Sequence, residues 1–342
     1  MNKETLMLSC SETDIARAGE ILRNGGLAAI PTETVYGLAA NALDGSAVRK
    51  IFEAKGRPQD NPLIVHISDV EQVYGLTKNF TPVAKKLANV FWPGPLTIIM
   101  PKKDIIASEV TCGLSTVGIR FPENEWARKI IAAAGVPLAA PSANSSGRPS
   151  PTTAKHVFDD MNGKIDAIVD GGECTVGVES TVVYAADGDE PVLLRPGGIS
   201  PEMIAQVCGA CRIDDNILSD MEAVGEVMSP GMKHKHYSPD ARITLIDSDF
   251  PAYKKYVEER GPQNVFALCY DGEGERLGGI PYIEFGAEND PQAQCRRVFS
   301  ALRELDEKGA KTVYARCPKK DGTSLAVYNR LIRAAAFRKI EL

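Results

Sequence analysis

Short apolar runs alternate with helix-period segments through the first part of the chain. LAAI (27–30), LIVHI (63–67), LTIIM (96–100), VGIRF (117–121), VPLAA (136–140), AIVD (167–170), STVVY (180–184) and PVLLR (191–195) read as strands. TDIARAGEILRNGG places Ile15, Ala18 and Leu22 on one helical face and ends on glycines. GSAVRKIFEAKG carries the stripe Val48, Ile51, Phe52 and stops at Gly56, and TPVAKKLANVFWPG starts on a proline and stops at Pro93. Further helices are expected near 124–134 and 152–161. The alternation predicts an α/β fold, with a mixed, twisted sheet because many of the connections are short.

Near residue 212 the rhythm breaks. Residues 213–241 show no long periodic segment and are punctuated by Ser229-Pro230-Gly231 and Ser238-Pro239-Asp240, so they read as a linker. A second α/β series follows. Strands are expected at 242–247, 264–269, 281–285 and 312–316, and helices near 250–260, 290–308 and 323–336. The expected organisation is a first domain over 1–212, a linker or lid over 213–241 and a smaller α/β domain over 242–342, long enough to fold alone.

Composition changes little. The 342 residues are 44% hydrophobic and 25% charged, an ordinary soluble mix. Residues 1–212 carry 20 Lys and Arg against 24 Asp and Glu, and the remainder 19 against 21, so neither part has the basic excess of a general nucleic-acid binder. Eight scattered cysteines include one C-x-x-C pair, Cys208 and Cys211, without a second pair, so reduced thiols are expected. The N-terminus lacks a signal-peptide apolar core, and no run approaches a membrane span, so the expected location is the cytoplasm.

Several familiar motifs are missing or weak. No G-x-x-x-x-G-K-[ST] phosphate loop is present. GEGERLG (272–278) has the wrong spacing for a dinucleotide fingerprint and reads as an acidic surface turn. His234 and His236 have H-x-H spacing but no acidic or thiol partner nearby to complete a metal site.

The chemistry concentrates at strand ends. PTETVYGLA (31–39), KGRPQDNPLIVHI (55–67), GLSTVGIRFP (113–122), APSANSSGRPSPT (140–152), VGVESTVV (176–183) and LLRPGG (193–198) each combine small polar residues with Pro or Gly. Five cations, Lys55, Arg57, Arg120, Arg148 and Arg195, lie on separate segments. Brought together they would form a compact pocket for several negative charges, with arginine forks matching phosphate or carboxylate. Hydroxyls and amides from Thr32, Thr34, Thr116, Ser142, Asn144, Ser150, Ser180 and Thr181 would complete it. Pro58 and Pro62 stiffen the backbone that carries Lys55 and Arg57, and Gly56 is expected to let the chain pass closely.

Together PTETVYGLA, KGRPQDNPL, IRFP, PSANSSGRPSPT and LRPGG resemble the threonylcarbamoyl-AMP synthase family of YrdC-like proteins, over roughly residues 10–212. The linker with SPGMKHKHYSP and the second α/β unit are similar to the long, two-domain, Sua-type members. The resemblance implies a YrdC-like catalytic domain enclosing a concave positive cavity and a Rossmann-like C-terminal domain. It implies synthesis of L-threonylcarbamoyl-AMP and pyrophosphate from L-threonine, bicarbonate or carbon dioxide, and ATP with magnesium. The product would pass to a tRNA threonylcarbamoyl-transferase complex. By resemblance Thr34, His66, Arg120 and Ala140 would contact threonine, Ala140 through its backbone alone. Lys55, Arg57, Asn61, Thr116, Ser142, Asn144, Ser150, Arg195, His236 and Tyr237 would hold ATP, with Lys55 and Arg57 nearest the reaction. The linker would close over the nucleotide. An RNA-binding module and a carbamoyl-transfer domain of the same fold are the competing readings.

Overall fold

The computed structural model describes residues 4–188, 190–218, 237–263 and 265–342. Eleven strands form the first sheet among these residues: β1 Leu6–Leu8, β2 Ala28–Ile30, β3 Gly37–Asn41, β4 Ile64–His66, β5 Leu96–Pro101, β6 Thr116–Arg120, β7 Leu138–Ala139, β8 Ala167–Val169, β9 Thr181–Tyr184, β10 Val192–Arg195 and β11 Arg212–Ile213. Their spatial order is β1-β8-β2-β3-β7-β4-β6-β5-β9-β10-β11. Parallel pairs such as β4 with β6 and antiparallel pairs such as β5 with β6 both occur, so the sheet is mixed, as the short connections require. Strand β11 carries this sheet one residue past the expected boundary at 212.

A second sheet contains β12 Arg242–Asp247, β13 Val265–Cys269, β14 Tyr282–Glu284, β15 Thr312–Arg316 and β16 Lys339–Glu341. Its order is β14-β13-β15-β12-β16 and every pairing is parallel. Helices Phe250–Glu258, Pro291–Glu307 and Ser324–Ala334 connect its strands. The turn at 272–278 is not a surface feature throughout. Glu273 is buried and paired with Arg316, both distances to Arg316 Nε being 3.2 Å.

Local signals place the elements that matter for the site. Asp44 caps the helix Gly45–Lys55 by accepting from the N–H groups of Ser46 and Ala47, and Val48, Ile51 and Phe52 bury its apolar stripe. Gly56 ends that helix at φ 60, in the left-handed region. A Cβ at Gly56 would meet nothing within 4 Å, so glycine serves the backbone conformation here rather than close passage. Lys55 is thus the last helical residue, with Arg57 just beyond the turn.

The two units share their packing. Val35 and Val178 of the first lie in one apolar cluster with Cys295, Phe299 and Leu331 of the second, and Tyr237 at the end of the linker joins them. Gly177, at φ 81, approaches the helix Pro291–Glu307 so closely that a Cβ would sit 2.3 Å from the Arg296 Cα. The interface therefore resembles a protein interior, which the length of the second unit alone did not foretell.

Candidate functional site

One cavity gathers twelve of the fourteen expected site residues: Thr34, Lys55, Arg57, Asn61, His66, Arg120, Ala140, Ser142, Asn144, Ser150, Arg195 and Tyr237. Arg148 also lines it, so all five strand-end cations converge. Thr116 does not enter it and instead lines an adjacent crevice with Pro62, Ile64 and Gly118. Thr181 also turns elsewhere, since its hydroxyl donates to Ile199 O at 2.8 Å. His236 lies outside the described residues, as does the linker from 219 through 236.

The β4–β6 register sets His66 beside Arg120. Arg120 Nη1 donates to Thr34 Oγ1 at 2.8 Å. Its Nη2 lies 2.7 Å from Glu33 Oε1, an ion pair by charge and distance whose angle falls outside hydrogen-bond geometry. Burial pushes the Glu33 carboxyl up, but Arg120 together with backbone N–H groups holds it below its ordinary range. His66 is 3% exposed, and burial, then Arg120, lowers its pKa to about 3. The ring is therefore neutral, and its buried Nδ1 has no hydrogen-bond partner. That orphan separates His66 from a satisfied core histidine. Ala140 N–H is already donated to Ile64 O at 3.0 Å and is not available to a ligand.

The nucleotide side is organised by carbonyls. Lys55 Nζ donates to Ser142 O at 2.5 Å and to Asn144 O at 2.6 Å. Burial, then Arg57, holds the Lys55 pKa well below its ordinary value. Arg57 Nη2 donates to Asn61 O at 3.1 Å. Asn144 Nδ2 donates to Ser145 O and Arg148 O, both at 2.9 Å, which fixes the loop that follows. Arg195 donates from Nε at 3.0 Å and Nη2 at 2.9 Å to Ser180 O, a two-pronged hold. Burial draws both Arg57 and Arg195 down to about 10, still cationic at neutral pH. Arg57 Nε, Asn61 Oδ1, Arg120 Nε and Asn144 Oδ1 are all buried and without partners. A desolvated polar atom left unpaired costs about 1–3 kcal/mol, so these four, with His66 Nδ1 as a fifth, describe a surface that expects a polar ligand.

Residues not foreseen brace the cavity. Glu179 lines the cavity and accepts from Ser150 Oγ at 2.5 Å on one oxygen and from Arg330 Nε at 2.9 Å on the other. Asp160 accepts from Arg148 Nη1 at 3.0 Å and from Arg303 Nη2 at 2.9 Å. Glu33 and Glu179 sit inside motifs read only for their hydroxyls. Arg330 carried a signal in its helix, SLAVYNRLIRA, where charged residues interrupt an otherwise apolar surface.

Residues 20–197 match the Sua5_yciO_yrdC family model, described as telomere recombination, and residues 199–336 match the model of the threonylcarbamoyl-AMP synthase C-terminal domain. The chain is 42% identical over 337 residues to the threonylcarbamoyl-AMP synthase of Pyrococcus abyssi, covering 97% of this chain and 96% of that protein. The chain belongs to the threonylcarbamoyl-AMP synthase family. The family's Bacillus subtilis member is 44% identical over 340 residues, again covering 97% of this chain and 96% of that one. P. abyssi Sua5 complexed with L-threonine superposes with a TM-score of 0.90 at 41% identity, covering 99% of this chain and all of that one. YciO of Escherichia coli, at 22% identity and a TM-score of 0.51, shares the fold of the first unit. Family membership thus rests on both units together, since the two family models between them span nearly the whole chain.

Proposed function

We propose that the chain makes L-threonylcarbamoyl-AMP and pyrophosphate from L-threonine, bicarbonate or carbon dioxide, and ATP, for threonylcarbamoyladenosine modification of tRNA. The observation that carries this reading is the single cavity in which five cations and five unpartnered buried polar atoms converge. The P. abyssi relative solved with L-threonine supports the amino-acid part of it.

Arg120 pairs the threonine carboxylate, with Thr34 beside it and His66 Nδ1 receiving a donor. The threonine amine must be neutral to attack carbon dioxide; the N–C bond forms as one C=O π bond opens onto oxygen, and an amine proton passes to water to leave the carbamate. A carbamate oxygen then attacks the α-phosphorus, the bond to the β-phosphate oxygen breaks, and pyrophosphate leaves with the electron pair. Lys55, Arg57 and Arg195 meet the charge that gathers on the phosphates. No covalent enzyme intermediate is needed, so positioning and preorganised charge supply the rate. Tyr237, 5% exposed, lines the cavity and helps keep water from a labile mixed anhydride.

Magnesium enters this scheme as the ATP complex. Glu33 and Glu179 are both committed to arginines, and no group of three His, Cys, Asp or Glu suited to a metal occurs among the described residues. Phosphate oxygens and water would carry the ion. The product is passed to a tRNA-modifying transferase complex in the cytoplasm. No helix among the described residues is long and apolar enough to cross a membrane.

Pyrophosphate release tests the reading. It should require L-threonine and bicarbonate together, and L-serine should substitute poorly. Equal release with threonine omitted would refute it.

A further inference from the structure

Among the described residues, the bulkiest fully buried side chain is an arginine, and it belongs to the C-terminal unit. Arg330, on the helix Ser324–Ala334, is 0% exposed. Its Nε donates to Glu179 Oε2 at 2.9 Å and its Nη1 to Pro196 O at 2.6 Å. Both partners lie in the first unit, and both are sequence neighbours of the nucleotide-side hardware. Pro196 follows Arg195. Glu179 precedes Ser180, whose carbonyl takes the two-pronged hold of Arg195. The second oxygen of Glu179 accepts from Ser150 Oγ. One guanidinium from the second unit therefore staples the two segments that aim Arg195 and Ser150 into the cavity.

From this we infer that Arg330 is a positioning residue for ATP, and that the C-terminal unit completes the nucleotide half of the active site. The inference rests on the synthase reading for the identity of the nucleotide. Its physical core is a charge assignment. Burial pushes the Glu179 carboxyl up, and Arg330 first and Arg195 second pull it back below its ordinary range. With Arg330 in place, Glu179 has a full counter-charge away from the ligand. Without it, the cations left to Glu179 are the ligand-facing Arg195 and Lys55. The carboxylate then neutralises the arginine that should meet phosphate and adds its own charge to the anion site.

The threonine half stands apart from this staple. Arg120 ties Thr34 and Glu33 together and His66 sits beside it through the β4–β6 register; outside the sheet, their further hydrogen bonds go to Thr32, Asn124 and Val176 rather than to Glu179 or Arg330. The second interdomain anchor, Arg303, grips Asp160 and Pro149 O at 2.6 Å and so shares the docking load without touching Glu179. Loss of Arg330 should accordingly weaken one substrate and spare the other, which a general loss of docking would not do.

The test uses calorimetric titration of the full chain with magnesium–ATP and, separately, with L-threonine, for wild type, Arg330→Met, Arg330→Lys and the double variant Glu179→Gln/Arg330→Met. Arg330→Met should weaken ATP at least about tenfold and leave threonine within about twofold. Arg330→Lys should fall between it and wild type. Removing both charges should bring ATP affinity back to within about threefold of wild type. The stray carboxylate is then gone, while the amide oxygen that replaces it still accepts from Ser150. Unchanged ATP affinity in Arg330→Met, equal weakening of both ligands, or a double variant as poor as Arg330→Met would each overturn the inference. If Arg330→Met does not fold by circular dichroism, the lysine and double variants decide on the same criteria. A wild-type protein that binds ATP but makes no threonylcarbamoyl-AMP would remove the synthase reading and leave this test standing, since the test is read from binding.

Discussion

Replacing Lys55 with methionine should separate catalysis from stability. The residue is 4% exposed and its ammonium donates to Ser142 O and Asn144 O. Losing two hydrogen bonds from a charged donor costs about 1.5–3 kcal/mol each. Opposing this, a buried ammonium carries a desolvation penalty of several kcal/mol, raised further by Arg57 beside it. The two contributions are of similar size, so the net change in unfolding free energy should stay within about 2 kcal/mol. Turnover has no such compensation. Removing a preorganised charge partner from a developing phosphate charge costs at least about a hundredfold, near 2.7 kcal/mol of barrier. The pH dependence of stability adds a second readout. The folded-state pKa of Lys55 is depressed, so the unfolded chain holds the extra proton between the two values. Wild-type stability should therefore rise with pH as it approaches the ordinary lysine range, and the methionine variant should lose that rise. The assay is pyrophosphate release with both substrates saturating, alongside urea unfolding at two pH values. Turnover within about tenfold of wild type, or a stability loss large enough to unfold the variant, would show that Lys55 is a structural residue and refute the reasoning.

His66 offers a pH test, because its pKa falls to about 3 in the folded state from about 6.5 unfolded. Below about pH 6.5 the unfolded chain takes up a proton that the folded chain refuses, so between about pH 6.5 and 5 wild type should lose about 1.6 kcal/mol relative to His66→Gln in urea unfolding. Arg120→Met should weaken threonine in calorimetric titration by at least about thirtyfold, since it removes the carboxylate's partner and strands Glu33, while magnesium–ATP should bind nearly as before. Gly177→Ala combines a left-handed backbone with a 2.3 Å approach to the Arg296 Cα, so it should destabilise the protein by about 2–5 kcal/mol in chemical denaturation; a change under about 0.5 kcal/mol would show that the interface can yield there.

The parts of the fold that follow a local period were legible before the structure. The helix Gly45–Lys55 is one, with its stripe and its terminal glycine, and the strands β5, β6 and β12 are others. Strand β3, GLAAN, was not recognised, because glycine and alanine are weak strand formers and it holds its place by pairing with β2 and β7. Strands β1, β11 and β16 are two or three residues long, too short to show alternation. The helix Pro201–Cys208 carries a readable start in Ser200-Pro201 and a readable stop in Gly209, but at eight residues its apolar stripe is too short to show a period. In the site, cations flanked by proline and glycine stood out because rigid charge is unusual on a solvated surface. Glu33, Glu179 and Arg330 did not, because each takes its meaning from a distant partner. Glu33 pairs with Arg120 across 87 residues of sequence, and Glu179 with Arg330 across 151. Such pairing is a tertiary fact with no local period.

The central claim is that this cavity joins threonine, a one-carbon unit and AMP in one product. Mass spectrometry of a reaction holding the purified chain, L-threonine, magnesium–ATP and carbon-13-labelled bicarbonate tests it most directly. The account predicts threonylcarbamoyl-AMP that is one mass unit heavier than the product from unlabelled bicarbonate. An unlabelled threonyl-AMP, or AMP and pyrophosphate with no adduct trapped, would contradict it.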